Sequence, residues 1–400
     1  MSEVSGAFQA NAAGLMRAVE LLVAEKTEAN SGARGRSELP GTLPESGIGP
    51  SATIEELAEP VLGQARHLGA PGFLAHMDPP TPWITWAMQL WNSSTNQNLL
   101  HPDTAPVARA IETKVIDWLA PFFSQSGGHM TSGSTIANLT ALWAAREAGA
   151  HTVVATRHAH LSIAKGAHLL GMHYRPIDRW VAAGNLDGCA AVITAGVTST
   201  GEIEPLDAAP LAAWRHVDAA WAGPLVLSDQ NRGLLAGIGQ ADSVAVSAHK
   251  WLFQPKESAM VLFANVEAAH ASVSFGADYL SVPNVGVAGS HGAAAVPLLA
   301  TLLAYGRQGI AGWIDQSMYQ VEVLARAVHA APDLEYRTEP QSGVLNWRHT
   351  QVSANELQAQ LPADVFVSTT TIEGEPWLRS VGANPMADPL YVVAAVLDAV

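Results

Sequence analysis

Cysteine is nearly absent from this chain: Cys189 stands alone among 400 residues. That excludes a disulfide framework within the chain and any cysteine-rich zinc site. A lone thiol fits a reducing compartment, so the cytoplasm is the expected location. Positive charge is also scarce, with 21 Lys and Arg against 36 Asp and Glu and a formal charge of -15. Nucleic acid and anionic membranes both require clustered basic residues, so neither is an expected partner. Long apolar runs are missing as well; none reaches the roughly 18 residues that span a bilayer. The opening MSEVSGAFQANAAG has no basic stretch leading into an apolar one, and no signal peptide is expected. No internal repeat occurs. What remains is an ordinary globular composition, long enough to bury a large core and to build two or three structural units.

Leu15, Val19, Leu22 and Val23 recur at helical spacing and predict a helix over residues 12–26. Residues 30–51, rich in Gly, Pro and Ser, read as a linker or extended arm. Residues 53–68 read as a second amphipathic helix capped by Ser51 or Thr53. Trp83, Trp86 and Trp91 read as core or subunit-interface packing. From about Pro106, helices (105–119, 136–148, 161–170) alternate with short apolar strands (152–155, 190–194, 213–217, 243–246, 260–263). That rhythm implies right-handed βαβ units and a mainly parallel sheet. Ligands of such sheets bind at the carboxyl ends of the strands. Long helices over 297–305 and 310–328 then lead into a second, α+β segment. It has strands near 344–347, 365–369 and 377–379 and a last helix from Pro389. The expected division is an N-terminal helical segment and linker (1–85), a large α/β domain (86–305) and a small C-terminal α+β domain (306–400).

Four groups of polar residues at strand ends or tight turns carry the chemistry. Thr131-Ser132-Gly133-Ser134-Thr135 opens a helix. Backbone N–H groups, hydroxyls and the positive dipole end there suit a phosphate, although Ser and Thr are also ordinary helix caps. In HVDAAW (216–221), Asp218 at a strand end suits pairing with a ring nitrogen, which would make that ring an electron sink. Capping a turn is its bland alternative. In SAHKW (247–251), Lys250 closes an apolar strand. Burial beside a cationic His249 would depress its pKa and free the amine for Schiff-base formation, unless it merely snorkels to solvent. His158 and His160 form a His-X-His pair without a third ligand at metal spacing, so no metal is expected. A flat imidazole stacked on a ring is the better reading of His160.

Together these residues resemble the group II pyridoxal-phosphate-dependent amino-acid decarboxylases, from about residue 53 to the C-terminus. That group takes in aromatic-amino-acid, glutamate, cysteine-sulfinate and diaminobutyrate decarboxylases. The motifs that carry the resemblance are NQNLLHPDTAP (96–106), TSGSTIANLTAL (131–142), HVDAAW and SAHKW. The resemblance implies an aspartate-aminotransferase-like large domain of PLP fold type I. It implies a Lys250 aldimine, Asp218 on the pyridine nitrogen, Ala220 under the ring and His160 over it. Gly133, Ser134 and Thr135 would hold the phosphate, helped by Ser247 and His249, with Thr198 in a turn near the cofactor. Catalysis would fall to Lys250, Asp218, His160 and His249, passing through a quinonoid intermediate. The family is a homodimer with shared active sites, so Asn96, Gln97, Asn98, His101 and the segment around Ser290 would serve the partner's site. Arg379, followed by Asn384, would meet the carboxylate of a small amino-acid substrate.

Three departures bear on the reaction. Tyr279-Leu280 is present, but residues 281–289 (SVPNVGVAG) form a short lid without the tyrosine that protonates the substrate carbon after CO2 leaves. A basic pair found in many members reads Ser290-His291-Gly292. The turn at Gly133 reads Gly-Ser-Thr-Ile, with Ile136 where the family has glutamate. Without the tyrosine, His249, Tyr279 or a partner-chain group would have to supply the proton. Decarboxylation to the amine is the expected reaction. Aldehyde formation through O2, transamination, carbon–carbon lyase chemistry and a degenerate PLP-binding protein are the alternatives on the same fold.

Overall fold

The computed structural model describes residues 8–27 and 39–400, so part of the expected 30–51 linker lies outside the described residues. Its larger sheet has seven strands: β1 (Gly127–Thr131), β2 (Thr152–Thr156), β3 (His173–Ile177), β4 (Cys189–Thr194), β5 (Trp214–Asp218), β6 (Ser243–Val246) and β7 (Ala259–Phe263). Their spatial order is β1-β7-β6-β5-β4-β2-β3. The run from β3 to β6 is parallel, and β7 is antiparallel to both β6 and β1. Strands β4, β6 and β7 are buried along their whole length, as continuous apolar runs in a doubly covered sheet should be.

Two strands of this seven-stranded sheet are absent from the sequence-based expectation. β1, GGHMT, has no alternating apolar pattern; it pairs with β7 because glycine lets the backbones close. A Cβ on Gly128 would lie 2.0 Å from the carbonyl oxygen of Val261. β3, HYRPI, is an edge strand whose Pro176 is tolerated there and spoils the strand signal. The helices expected over 105–119, 136–148 and 161–170 are Pro106–Leu119, Ser134–Glu147 and Leu161–Leu169. The second N-terminal helix begins earlier and ends sooner than its apolar pattern implied. It spans Pro50–Leu57 and continues as a π-helical turn over Ala58–Gly63, with Gly49 rather than Ser51 or Thr53 at the cap. Pro50, pre-set for the first helical position, fixes that start.

Ala295–Ala330 is one long helix broken only at Gly306 (φ 62°, ψ -179°). It leads into a four-stranded antiparallel sheet ordered Leu334–Tyr336, Val344–His349, Glu375–Val381, Ser368–Ile372. A strand pattern expected at 365–369 is thus displaced to 368–372. The helix Ala354–Gln360 starts from a reciprocal capping box between Ser353 and Glu356. Leu74, fully buried, belongs to this smaller core, and its N–H donates to the carbonyl of Phe366 at 3.0 Å. Two tryptophans tie the two sheets together. Trp221 and Trp251 pack with ring centroids 4.0 Å apart and planes tilted by 32°, Trp221 Nε1 donating to Ser342 O (2.7 Å) and Trp251 Nε1 to Gly382 O (2.9 Å). Gly196 and Gly343, both at positive φ, leave the room: a Cβ would stand 2.7 Å from the Trp221 ring and 2.9 Å from the Trp251 ring. Among the described residues no helix is long and apolar enough to cross a membrane.

Buried histidines make the fold sensitive to acid. Burial holds His216 down to about 4 and His129 to about 3, with neighbouring His270 adding to the depression of His129. Both are neutral in the folded chain while the unfolded chain takes up protons below about 6.5. Stability that is complete above pH 6.5 is therefore lost as pH falls toward 4, His216 alone accounting for on the order of 3 kcal/mol. Urea-unfolding midpoints are expected to drop steeply between pH 6.5 and 4 and to be flat from 7 to 8. A midpoint unchanged down to pH 4.5 would refute the buried neutral histidines.

Candidate active site

The carboxyl ends of β4, β5 and β6 and the start of the Ser134–Glu147 helix enclose a cavity of about 350 Å3. It is lined by Gly133, Ser134, Thr135, His160, Thr198, Asp218, Ala220, His249 and Lys250, so nine of the ten residues expected around a cofactor meet in one place. The tenth, Ser247, is fully buried just behind, its Oγ hydrogen-bonded to Ser134 Oγ.

Each wall follows from local structure. Gly133 is the N-cap of its helix and no side chain caps it. The first turn therefore offers amides and the dipole end to an anion, which is the reading that an ordinary capping serine would have denied. Asp218 ends β5 with only 3% of its surface exposed. Its Oδ1 accepts from the Ala220 amide (3.2 Å) and its Oδ2 from Asn138 Nδ2 (3.0 Å). Lys250 follows β6 in a turn. Burial pushes its ammonium below the ordinary lysine range, with Asp218 working against that and Lys256 adding to it. The expected cationic His249 is not what depresses it: burial holds His249 itself to about 4, so it is neutral near pH 7. Its buried Nδ1 has no hydrogen-bond partner among the described residues.

His160 caps the Leu161–Leu169 helix, Nδ1 accepting from the Ser162 amide at 3.2 Å. The desolvating walls, with a smaller contribution from Lys250, hold its pKa below the usual value against the pull of Asp218. Arg379, 8% exposed, donates from Nε to Thr198 O (2.7 Å) beside the cavity. Burial lowers it to about 10, which leaves it cationic at neutral pH. Asn384 is buried and spent on Ala70 O (2.8 Å) and the Met386 amide (3.0 Å). Among the described residues no cluster suits a metal ion.

Other expected residues lie elsewhere. Asn96, Gln97, Asn98 and His101 do not line this cavity; Asn98 Nδ2 instead donates to Ser290 Oγ at 3.0 Å, joining the two segments assigned to a partner's site. Leu99 and Leu100 border a separate cavity of about 220 Å3, with His129 and His291. The short lid begins within a hairpin, Ser274–Phe275 paired with Asn284–Val285, and Tyr279 in that hairpin is 73% exposed. Among the described residues no tyrosine lines the 350 Å3 cavity. Sequence reasoning missed Asn138, Thr194, Gly196 and Trp221, all of which line it. For Asn138 a signal existed: one amide on a helix face otherwise built of Ala137, Ala141, Leu142 and Ala145.

A helix start with free amides and hydroxyls, a buried carboxylate, and a lysine whose charged form burial disfavours make a donor set for a flat, phosphorylated, nitrogen-containing aldehyde. The orphaned His249 Nδ1 is a further polar atom that such a group would satisfy.

The chain matches the pyridoxal-dependent decarboxylase conserved domain over residues 36–349. It is 30% identical to an L-2,4-diaminobutyrate decarboxylase of Rhizobium meliloti (strain 1021), covering 96% of this chain and 90% of that protein. It is 26% identical to an aromatic-L-amino-acid decarboxylase of Bacillus atrophaeus, over 88% and 85%. Its fold is similar to that of Oryza sativa TDC solved with PLP and tryptamine: TM-score 0.86, 21% identity, 97% of this chain and 98% of that one. Matched over most of its length by the family's domain, the chain belongs to the pyridoxal-dependent decarboxylases and is a carboxy-lyase that works with pyridoxal phosphate.

Proposed function

We propose that this enzyme decarboxylates an L-amino acid to its amine, with Lys250 carrying the cofactor. The observation behind the reading is the convergence of a desolvated Lys250, a buried Asp218 and an uncapped helix start on one cavity. When bound, pyridoxal phosphate supplies an electron-withdrawing ring conjugated to the substrate's α-carbon. The chain's own residues bind and orient around it. Asp218 would hold a proton at the ring nitrogen, and the Ala220 and Asn138 N–H groups orient its carboxylate for that purpose. The Gly133–Ser134–Thr135 turn, Ser247 and His249 hold the phosphate. Ala220 and His160 cover the two faces, and Thr198 closes one edge. Arg379, cationic and fixed to the Thr198 carbonyl, orients a substrate carboxylate.

Among the described residues no tyrosine lines the cavity, so the proton that must reach the α-carbon once CO2 departs falls to His249, Tyr279 or a group of the partner subunit. That same absence favours a second reading, in which O2 and water intercept the carbanion and yield aldehyde, ammonia and hydrogen peroxide. The substrate's side chain is read by Asn96, Gln97, Asn98 and His101 of a second subunit, in a homodimer that covers the exposed Trp83, Trp91, Val107 and Phe122. We assign residues 86–305 to the cofactor-binding domain and 306–400 to the small domain, the break falling at Gly306.

Two measurements test these points. The enzyme loaded with cofactor is assayed against all common amino acids and 2,4-diaminobutyrate for CO2, amine and peroxide together. CO2 matched by amine is expected, and Arg379→Lys should raise KM roughly 10- to 100-fold with a smaller change in kcat, as for loss of a charge-assisted hydrogen bond. CO2 matched by peroxide would select the aldehyde reading, and no CO2 from any substrate would sink both. Sedimentation equilibrium should give a mass of twice 42.0 kDa; a monomer at micromolar concentration would contradict the shared site.

A further inference from the structure

A continuous line of hydrogen bonds runs behind the cavity, buried along its middle, half-buried at Trp214 and open to the surface at His160. Trp214 Nε1 donates to Ser243 Oγ (2.8 Å), and Ser243 Oγ meets His216 Nδ1 (2.9 Å). His216 Nε2 meets Asn138 Oδ1 (2.9 Å). Asn138 Nδ2 then divides, one hydrogen toward Asp218 Oδ2 (3.0 Å) and one toward Ser162 Oγ (3.0 Å). Ser162 Oγ meets His160 Nδ1 at 2.9 Å. Asn138 and Ser162 are each 1% exposed, and His216 and Ser243 are fully buried.

Proton positions along this line follow from its two ends. An indole N–H can only donate, and an ionised carboxylate can only accept. Asp218 therefore fixes the Asn138 amide with its nitrogen toward the carboxylate and its oxygen toward His216. His216 must then carry its proton on Nε2 and accept on Nδ1 from Ser243, whose oxygen is already taken by Trp214. Both Asn138 hydrogens are used, so Ser162 Oγ is an acceptor from Asn138 and its own hydrogen points to His160 Nδ1. The Ser162 amide donates to that same Nδ1. With two donors aimed at it, Nδ1 holds no proton, and His160 presents a neutral ring with N–H at Nε2.

We infer that Asn138 is a positioning residue for the decarboxylation site: one buried amide fixes both the acceptor state of Asp218 and the tautomer of His160. The inference deepens the function proposed above and rests on it. It also explains why a polar side chain occupies the apolar face of the Ser134–Glu147 helix. A valine or leucine there would pack, but Asp218 Oδ2 and His216 Nε2 would each lose a partner on side chains no more than 3% exposed. The titratable groups around Asn138 are His216 and Asp218 from β5 and, through Ser162, His160; Lys250 lines the same cavity.

The test is cofactor affinity by equilibrium dialysis on the full chain, each variant divided by wild type at the same pH. Asn138→Leu should weaken pyridoxal phosphate binding roughly 10- to 100-fold, the effect of losing one hydrogen bond to a charged group, at every pH from 6 to 8. Asn138→Asp keeps the shape but brings a second carboxylate against Asp218, which raises its pKa. It should be as weak as the leucine variant at pH 8 and recover roughly tenfold by pH 6, where its protonated form again donates to Asp218. A role in packing alone gives no such pH dependence. The 15N signals of the His160 ring, assigned by difference with His160→Gln in the cofactor-free protein, should report N–H at Nε2 in the wild type. Variants that bind within twofold of wild type with flat pH dependence, or a His160 protonated at Nδ1, would overturn the inference. Wild type that fails to bind the cofactor would overturn the decarboxylase reading instead.

Discussion

A carboxylate taken out of water is the constraint on which the rest of this molecule depends. Asp218 sits at the end of the central strand with 3% of its surface exposed. Burying an ionised group without partners costs several kcal/mol, so the surroundings must supply donors. They come from three directions: the Ala220 amide in the turn that follows, the Asn138 amide from the helix packed on the sheet, and the positive field of Lys250. Each supply dictates something further. The turn must be built of small residues, the helix must present an amide on an apolar face, and the lysine must end up in the same desolvated cavity.

The packed pair Trp221 and Trp251 extends that logic to the second sheet. Both tryptophans close the chemical motifs, and both spend their indole N–H groups on carbonyls at the ends of strands of the four-stranded sheet, Ser342 and Gly382. The cavity floor and Arg379 are thereby held in a fixed relation. A site that must place a ring nitrogen, a phosphate and a substrate carboxylate at once needs that relation more than it needs any single contact.

Much of this was legible in the sequence because the relevant signals are local. Strands β4, β6 and β7 are short apolar runs, and the cofactor residues fall directly after such runs or at a Gly/Ser/Thr helix start. What was not legible depends on distant partners. β1 is a strand because glycine admits β7 to close range, and β3 because a parallel neighbour holds a polar, proline-bearing segment. Asn138 stands out only as an amide on an apolar helix face; what it bonds appears only when β5 and the Leu161–Leu169 helix are brought against it. The neutral state of His249 likewise follows from burial, which spacing along the chain does not report. The short lid was legible, and the structure adds that Tyr279, just before it, is exposed to solvent and does not line the cavity.

The central claim is that Lys250, and no other lysine, carries the cofactor. The chain has only five lysines, Lys26, Lys114, Lys165, Lys250 and Lys256, and Lys250 alone lines the cavity. Borohydride reduction of the cofactor-loaded enzyme followed by peptide mapping tests this directly. The account predicts one phosphopyridoxyl group per chain, on Lys250, and none after Lys250→Ala. A label on Lys256 or spread over the exposed lysines would contradict it.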